Sequence, residues 1–189
     1  MTPSTRRTAT TFTLVASPIG PILLTCEGTA GTLAGLFTDA QRDSPTKRDD
    51  WKEDARGFDQ AIRELEEYFA GTRRAFEVAL ETSRGTEFQR AVWTALRAIP
   101  YGETVSYADV ATSVGRPRAV RAVGAAVGMN PWGIIVPCHR VVGSAGALTG
   151  FAGGLARKRW LLEHEGIRVV GGRDHADPLA KIAGRQLTL

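Results

Sequence analysis

The hydrophobic periodicity of the chain changes near residues 83–86, and this change constrains the fold more than any other feature. Before it, short apolar runs alternate with turn signals such as SPIG and GTAG, a pattern typical of antiparallel strands. After it, apolar residues recur at helical spacing. The sequence therefore predicts an α/β protein with an N-terminal α/β domain at 11–82 and a mainly helical C-terminal domain at 83–168. Tails are expected at 1–10 and 169–189.

In the first half, the apolar runs predict four strands separated by polar segments. A charged stretch at 38–56 is expected to be a solvated loop, with Trp51 packed back onto the domain. A helix is predicted at 57–70, where apolar residues at i, i+4, i+7 and i+11 share one face. The predicted strands are TFTLVAS at 11–17, PILLTCEG at 21–28, GTLAGLF at 31–37 and FEVAL at 76–80.

In the second half, two S/T-x-x-polar patterns predict capping boxes, Thr86 with Gln89 and Ser106 with Asp109. The first opens a helix whose buried stripe is predicted to include Ala91. Short helices at about 106–114 and 118–128 follow, joined by a Gly-containing turn that also carries arginines. This pattern indicates a DNA-binding helix-turn-helix or an ordinary helical corner. A last helix is predicted at 155–164, LARKRWLLEH.

Composition excludes several classes of protein. A formal net charge of +4 suits a polyanionic partner without proving one. The two cysteines, Cys26 and Cys138, form no CxxC pair, and three histidines are too scattered for a zinc site, so we expect no metal. No apolar run reaches the roughly 20 residues needed to cross a membrane, and no secretory leader is recognisable, so we expect a cytoplasmic protein.

The stretch IIVPCHRVV places a cysteine, a histidine and an arginine between two apolar runs. Burial usually makes a cysteine an inert small hydrophobe. Here the neighbouring His139 and Arg140 indicate a reactive Cys138, because a nearby cation lowers the pKa of a thiol. A carboxylate would complete a Cys-His-acid relay. Glu165 is our first candidate and Glu163 the second, and the residues alone do not separate them.

The motif VPCHRVV, with NP eight residues before the cysteine, resembles the active-site signature of the O6-alkylguanine-DNA alkyltransferases. Similar segments occur in the family's order over about residues 11–168, among them SPIGPILL, IPYGETVSYADVA, RAVRAVGAAVGMNP and GFAGGLARKRWLLEHEG. The resemblance implies a ribonuclease-H-like N-terminal domain and a winged-helix-like helix-turn-helix in the C-terminal domain.

The resemblance also implies a role for individual residues. Cys138 would accept the alkyl group, His139 would act through a water as its base, and Glu165 would orient the histidine. Tyr107 would donate to guanine N3, and Asn130 would hold the turn before the active-site segment. Pro137 and Arg140 would be structural. The remaining assignments are DNA contacts by Arg121, Ala119, Val120, Arg118 and Arg116, and a substrate pocket lined by Val127, Gly124, Gly133, Val141, Leu148, Phe151 and Ala152.

The implied activity is direct-reversal DNA repair. The protein would flip the damaged nucleotide from the duplex through the minor groove and transfer the O6-alkyl group irreversibly to Cys138, one group per molecule. It would need no cofactor and act as a monomer, with cooperative binding along DNA and activity on O4-alkylthymine left open. Phe151, Ala152, Val120, Trp132 and Gly133 depart from residues frequent in the family, which puts the substrate range in doubt.

On pattern alone, Tyr107 is also compatible with a core aromatic, Arg121 with a surface cation and Asn130 with a turn residue.

Three other functions are alternatives to DNA repair by alkyl transfer. A damage-binding protein without transfer activity would lack the cysteine. A cysteine hydrolase would use a histidine remote in sequence. A transcription regulator would carry polar base-reading side chains on its recognition helix, whereas residues 119–128 are rich in Ala and Gly.

Overall fold

The computed structural model describes residues 10–28, 31–38 and 51–169. Most of the predicted N-terminal tail, the greater part of the 38–56 loop and nearly all of the predicted C-terminal tail lie outside the described residues. Within the described ranges, a sheet domain precedes a helical domain, which confirms the predicted fold class. No helix among the described residues is long and apolar enough to span a membrane.

The sheet of the N-terminal domain has five strands, β1 (Thr10–Val15), β2 (Ile22–Glu27), β3 (Thr32–Thr38), β4 (Lys52–Glu53) and β5 (Ala79–Leu80). Their order in the sheet is β4-β1-β2-β3-β5. The three long strands form an antiparallel meander, as the turn signals predicted, and the two short outer strands run parallel to their neighbours. Trp51 lies directly before β4, and the centroid of its ring is 6.1 Å from that of Phe12, so it packs on the sheet as predicted.

Helix α1 (Asp59–Phe69) contributes Ala61, Leu65 and Tyr68 to the core that also contains buried residues of this sheet. The strand predicted at 76–80 is wrong for most of its length, because only Ala79–Leu80 joins the sheet. The strand is short because the buried Glu64 carboxylate accepts hydrogen bonds from the backbone N–H groups of Glu77 (2.8 Å) and Val78 (3.3 Å). These donors are therefore satisfied by a helix side chain and need no strand partner.

The C-terminal domain is helical, and both predicted capping boxes are present. The stripe on the first helix differs from the prediction in that Ala91 is exposed, whereas Trp93 is buried and donates to the Ala126 carbonyl. A pair of short parallel strands, β6 (Val105–Ser106) and β7 (Val141–Val142), ties the helices to the segment around Cys138. The helices are α2 (Glu87–Arg97), α3 (Tyr107–Ser113), α4 (Val120–Gly128) and α5 (Leu155–His164).

The two domains share one hydrophobic core, and hydrogen bonds cross between them close to the Cys138 segment. The Leu36 N–H donates to the Pro131 carbonyl (2.8 Å), and the Trp132 indole donates to the Leu33 carbonyl (2.9 Å). Arg157 on α5 donates to the Ile19 carbonyl (2.6 Å) in the turn between β1 and β2. The sheet domain therefore forms part of the support of the active-site segment.

Candidate active site

Cys138, His139 and Arg140 form a single turn of 3₁₀ helix in the interior of the molecule. Pro137 precedes the turn, and its carbonyl accepts the Arg140 N–H (3.0 Å). His139 is fully buried and Cys138 is only 8% exposed. Two polar side chains and a thiol in such surroundings need specific partners, because unpaired buried polar groups are costly.

Glu165, at the end of α5, is the partner of both polar side chains. Its Oε1 lies 2.8 Å from His139 Nε2 and 2.9 Å from an Arg140 terminal nitrogen, and its Oε2 lies 2.8 Å from Arg140 Nε. The second Arg140 nitrogen donates to the Ile99 carbonyl (2.6 Å). The structure thus places Glu165 against the histidine, whereas Glu163 is exposed and faces Arg159 at 3.6 Å.

The pKa values of this pair favour a neutral histidine beside an ionised carboxylate. Burial lowers the pKa of His139, although the Glu165 carboxylate acts in the opposite direction. Burial also disfavours the charge on Glu165, but hydrogen bonds from His139 and Arg140 outweigh it and hold the pKa of the carboxyl well below its usual range. Since an ionised carboxylate only accepts, His139 Nε2 carries the proton and Nδ1 presents a lone pair. Among the described residues, Nδ1 has no hydrogen-bond partner.

The expectation that flanking cations lower the pKa of the Cys138 thiol is wrong for the protein at rest. Burial raises this pKa, and it outweighs the opposite effects of the Asn130 amide and the Lys158 ammonium. Desolvation disfavours the thiolate more than the nearby donors favour it. The sulfur is therefore a thiol at neutral pH, and a base must take its proton before or during attack.

Asn130 braces the backbone that leads to Cys138. Its side-chain N–H donates to the Val136 carbonyl (2.8 Å), and its side-chain oxygen accepts the Trp132 N–H (3.1 Å). Between these points Ile134 has a φ of 69°, a left-handed conformation that is unfavourable for a β-branched residue. The two hydrogen bonds of Asn130 close a loop around this strained residue.

Lys158 is a site residue that the sequence reasoning missed. It is fully buried on α5, and its ammonium donates to the carbonyls of Val141 and Thr149 (2.8 Å to the latter). Burial lowers its pKa to about 8, so it is largely cationic at neutral pH, and its charge favours the thiolate of Cys138. Leu161, Leu162 and Glu165 follow at i+3, i+4 and i+7, a spacing that could have placed Lys158 on the buried face of α5.

Replacing Lys158 by methionine should raise the pKa of the Cys138 thiol further, because the variant keeps the length of the side chain and removes the cation. The rate of thiol alkylation by iodoacetamide, measured against pH, should shift to higher pH by about one unit. Arg159→Met, at the next position on α5, is the matched control and should leave the profile unchanged. An identical profile for Lys158→Met and the wild type would show that the ammonium does not influence the sulfur.

Tyr107, at the start of α3, lies beside the segment that follows Cys138. Its hydroxyl lies 3.2 Å from the carbonyls of both Thr149 and Gly150, and burial raises its pKa, so the phenol remains a donor at neutral pH. Gly124 on α4 faces the Tyr107 ring, since a Cβ at this glycine would lie 3.9 Å from it.

A cavity of about 20 Å³ opens beside the Cys138 side chain, enough for one water-sized group. Of the residues predicted to line a pocket, Val127, Gly133, Phe151 and Ala152 do so, whereas Gly124, Val141 and Leu148 do not. The sheet domain supplies further lining residues that the sequence reasoning missed, namely Ile19, Leu36 and Thr38. Their contribution depends on how the two domains pack, which no local pattern reveals.

Helix α4 turns a face of small residues and one long cation towards solvent. Arg121, Ala122, Ala125 and Gly128 are exposed, as is Val120. Arg116 and Arg118, in the turn before the helix, are also exposed, and Ala119 is half-buried. Two arginines at the helix entry and one on its exposed face give this surface a positive charge suited to a phosphate backbone.

The described residues contain no group of three or more His, Cys, Asp or Glu side chains placed to hold a metal ion.

Two family models match the chain. The ribonuclease-like domain of 6-O-methylguanine DNA methyltransferase matches residues 11–82, and the DNA-binding domain of 6-O-methylguanine DNA methyltransferase matches residues 87–167.

Several proteins are similar to this chain in sequence or in structure. The methylated-DNA–protein-cysteine methyltransferase of Mycobacterium bovis is 49% identical over 157 residues, which cover 83% of this chain and 93% of the relative. The protein of the same name from Methanosarcina acetivorans is 48% identical, covering 82% and 97%. The crystal structure of Mycobacterium tuberculosis OGT in complex with DNA is similar with a TM-score of 0.74 and 49% identity, covering 82% of this chain and 92% of that one.

Proposed function

The chain belongs to the 6-O-methylguanine DNA methyltransferase family, and we propose that its Cys138 is the acceptor to which an alkyl group moves from O6 of guanine. The protein repairs DNA by alkyl transfer, and DNA is its partner. One observation carries the assignment of the acceptor. Cys138 lies at a cavity and directly precedes His139, whose Nε2 is hydrogen-bonded to Glu165.

The transfer is a displacement at the alkyl carbon. The bond from Cys138 Sγ to this carbon forms as the bond from the carbon to guanine O6 breaks, and the electron pair of that bond remains on guanine. The thiol proton passes to His139 Nδ1 through a water, and Glu165 stabilises the imidazolium that results. Tyr107 donates its phenolic proton to guanine N3, so the base leaves as neutral guanine rather than as an anion. The proton held by His139 then returns through solvent to the Tyr107 phenolate, so that one thiol proton ends on guanine.

The resulting thioether has no easy reverse step. Each molecule therefore repairs one lesion and is then spent, and the reaction needs no cofactor because the transferred group arrives on the DNA. We further propose that the protein acts as a monomer in the cytoplasm, with the C-terminal unit at 83–168 carrying both DNA binding and transfer.

Access to O6 requires that the nucleotide leave the base stack, and helix α4 is suited to this step. Its exposed face carries few long side chains, so its backbone can approach the floor of a narrow minor groove closely. Arg121 projects from this face and is long enough to fill the space that the extruded nucleotide leaves. Ala119, Val120, Arg118 and Arg116 complete the proposed DNA contacts.

The function is tested on the DNA. A duplex with one O6-methylguanine inside a methylation-sensitive restriction site is incubated with increasing amounts of protein, and the fraction of cleavable duplex is measured. Cleavable DNA should rise in proportion to added protein and stop rising at about one repaired duplex per molecule. Repair of many duplexes by one molecule would contradict suicidal transfer, and no repair by folded, reduced, DNA-bound protein would contradict the function.

Arg121→Ala should slow transfer from duplex DNA by about tenfold to a hundredfold, because stabilising an extruded nucleotide is worth a few kcal/mol. The same variant should react at nearly the wild-type rate with a single-stranded oligonucleotide carrying the same lesion, which has no stack to leave. Single-turnover rates on both substrates give the comparison. Equal losses on the two substrates would show that Arg121 contributes only to general DNA affinity.

A further inference from the structure

We propose that Tyr68, on helix α1 of the sheet domain, is a positioning residue for the Cys138–His139–Glu165 relay. It orients Glu165 and limits how strongly the carboxylate stabilises the protonated form of His139. This inference rests on the proposed function of Cys138 as the acceptor. It assigns to the N-terminal domain a part in the chemistry, beyond that of a scaffold.

The geometry of the Tyr68 hydroxyl is that of a specific donor. It lies 2.8 Å from Glu165 Oε1, the same oxygen that lies 2.8 Å from His139 Nε2. Both Tyr68 and Glu165 are buried, and 97 positions separate them in the sequence. Because the carboxylate is ionised and can only accept, the phenol must be the donor. Burial and the neighbouring Glu165 charge both raise the pKa of Tyr68, so the hydroxyl keeps its proton.

The rest of Tyr68 is fixed by the same end of helix α5. Its backbone carbonyl accepts a hydrogen bond from His164 Nε2 (2.7 Å), and its ring packs edge-on against the rings of His164 (5.2 Å) and Tyr101 (6.2 Å). The phenol therefore cannot rotate away from Glu165 without breaking the contacts of Tyr68 with His164, which directly precedes Glu165. A donor held in this way sets the orientation of the carboxylate.

Glu165 accepts hydrogen bonds from Tyr68, from His139, twice from Arg140 and, more weakly, from the Gly102 N–H at 3.3 Å. Tyr68 and His139 thus share one oxygen, and each donor reduces the negative charge available to the other. Without the phenol, Oε1 would interact more strongly with His139 and favour its protonated form. Arg140 would still contact both oxygens, so the carboxylate would stay in the site, but its orientation towards the histidine would be less restricted.

Other charged or titratable groups also face the relay. Arg140 and Lys158 lower the pKa of His139, and Tyr101 lies close enough to Glu165 for the carboxylate to raise its pKa. Cys138 lies next to His139 in the same turn. None of these groups is altered by Tyr68→Phe, which removes one oxygen and keeps the ring. A change in the pH dependence of transfer would therefore report on the hydrogen bond to Glu165.

The test compares full-length wild type, Tyr68→Phe and Tyr101→Phe. Tyr101 belongs to the same aromatic cluster, and its hydroxyl donates to the His164 carbonyl (3.1 Å) but not to the Glu165 carboxylate. Single-turnover transfer from an O6-methylguanine duplex is followed from about pH 5 to about pH 9. The end point counts the competent molecules, so partial unfolding lowers the amplitude and leaves the rate constant unaffected.

Tyr68→Phe should react about threefold to tenfold more slowly at neutral pH, because Glu165 would orient His139 less well. The fall of its rate on acidification should begin about half a unit higher, because His139 would take up a proton at higher pH. Tyr101→Phe should keep the wild-type profile. A wild-type profile for Tyr68→Phe, with only a smaller amplitude or a lower melting temperature, would overturn the proposal and leave Tyr68 a packing residue. Failure of the wild type itself to react would instead overturn the proposed function.

Discussion

Replacement of Cys138 by alanine is expected to abolish alkyl transfer while leaving the affinity for duplex DNA nearly unchanged. The sulfur is the atom that forms the new bond, so its removal leaves the transfer without its proposed acceptor. Binding should survive because the side chain is buried at the cavity and the proposed DNA surface lies on α4. Transfer is measured with a duplex labelled on the O6-methyl group, and affinity with the same duplex by fluorescence anisotropy at fixed salt.

Cys26→Ala is the matched control for this experiment. Cys26 is the other cysteine of the chain and is buried in strand β2 of the sheet domain. This variant should transfer the label to the same extent as the wild type, since the proposed reaction does not involve its sulfur. Residual labelling of Cys138→Ala, or loss of labelling in a folded Cys26→Ala protein, would contradict the assignment of the acceptor.

Replacement of Glu165 by glutamine is expected to lower the free energy of unfolding by about 3–5 kcal/mol, the range for removing one partner of a buried ion pair. Arg140 would lose its counter-charge, and the glutamine amide could not accept all the hydrogen bonds that converge on the carboxylate. Transfer should also slow strongly, because the imidazolium of His139 would lose its stabilising charge. Urea unfolding at neutral pH measures the first effect, and single-turnover kinetics the second.

Glu163→Gln is the control for stability, because this exposed carboxylate only faces Arg159 on the surface. Its replacement should change the free energy of unfolding by less than about 1 kcal/mol.

The dependence of stability on acid pH provides a further check on the role of Glu165. The pKa of Glu165 is lowered in the folded protein, so its contribution is complete above the ordinary value of 4.5 and is lost as pH falls below it. Glu165→Gln should lack this part of the acid sensitivity, and an unchanged acid profile would contradict the stabilising role.

Local sequence patterns predicted the features that depend on neighbouring residues. Both capping boxes form because the two partners of each are three residues apart. Helix α5 has the predicted bounds, 155–164. The strand predicted at 76–80 was mostly wrong because the Glu64 carboxylate, on another element, takes up the backbone donors that a strand would have paired.

Features that depend on how the two domains pack could not be predicted from one sequence. The contact between Tyr68 and Glu165 joins residues 97 positions apart, and the cavity receives Ile19, Leu36 and Thr38 from the sheet domain. The resemblance supplied the roles of Cys138, His139 and Glu165, but not the strong desolvation that keeps the thiol protonated. That balance depends on the depth of burial, which adjacent residues in the sequence do not define.

The most direct test of the account is the intact mass of the wild-type protein after incubation with excess duplex carrying one O6-methylguanine, followed by peptide mapping. We expect each molecule to gain the mass of one methylene and no more, on the peptide that contains Cys138, while the DNA recovers normal guanine. An unchanged mass in protein that is folded, reduced and bound to the duplex would contradict transfer. A methyl group found on any other residue would contradict Cys138 as the acceptor.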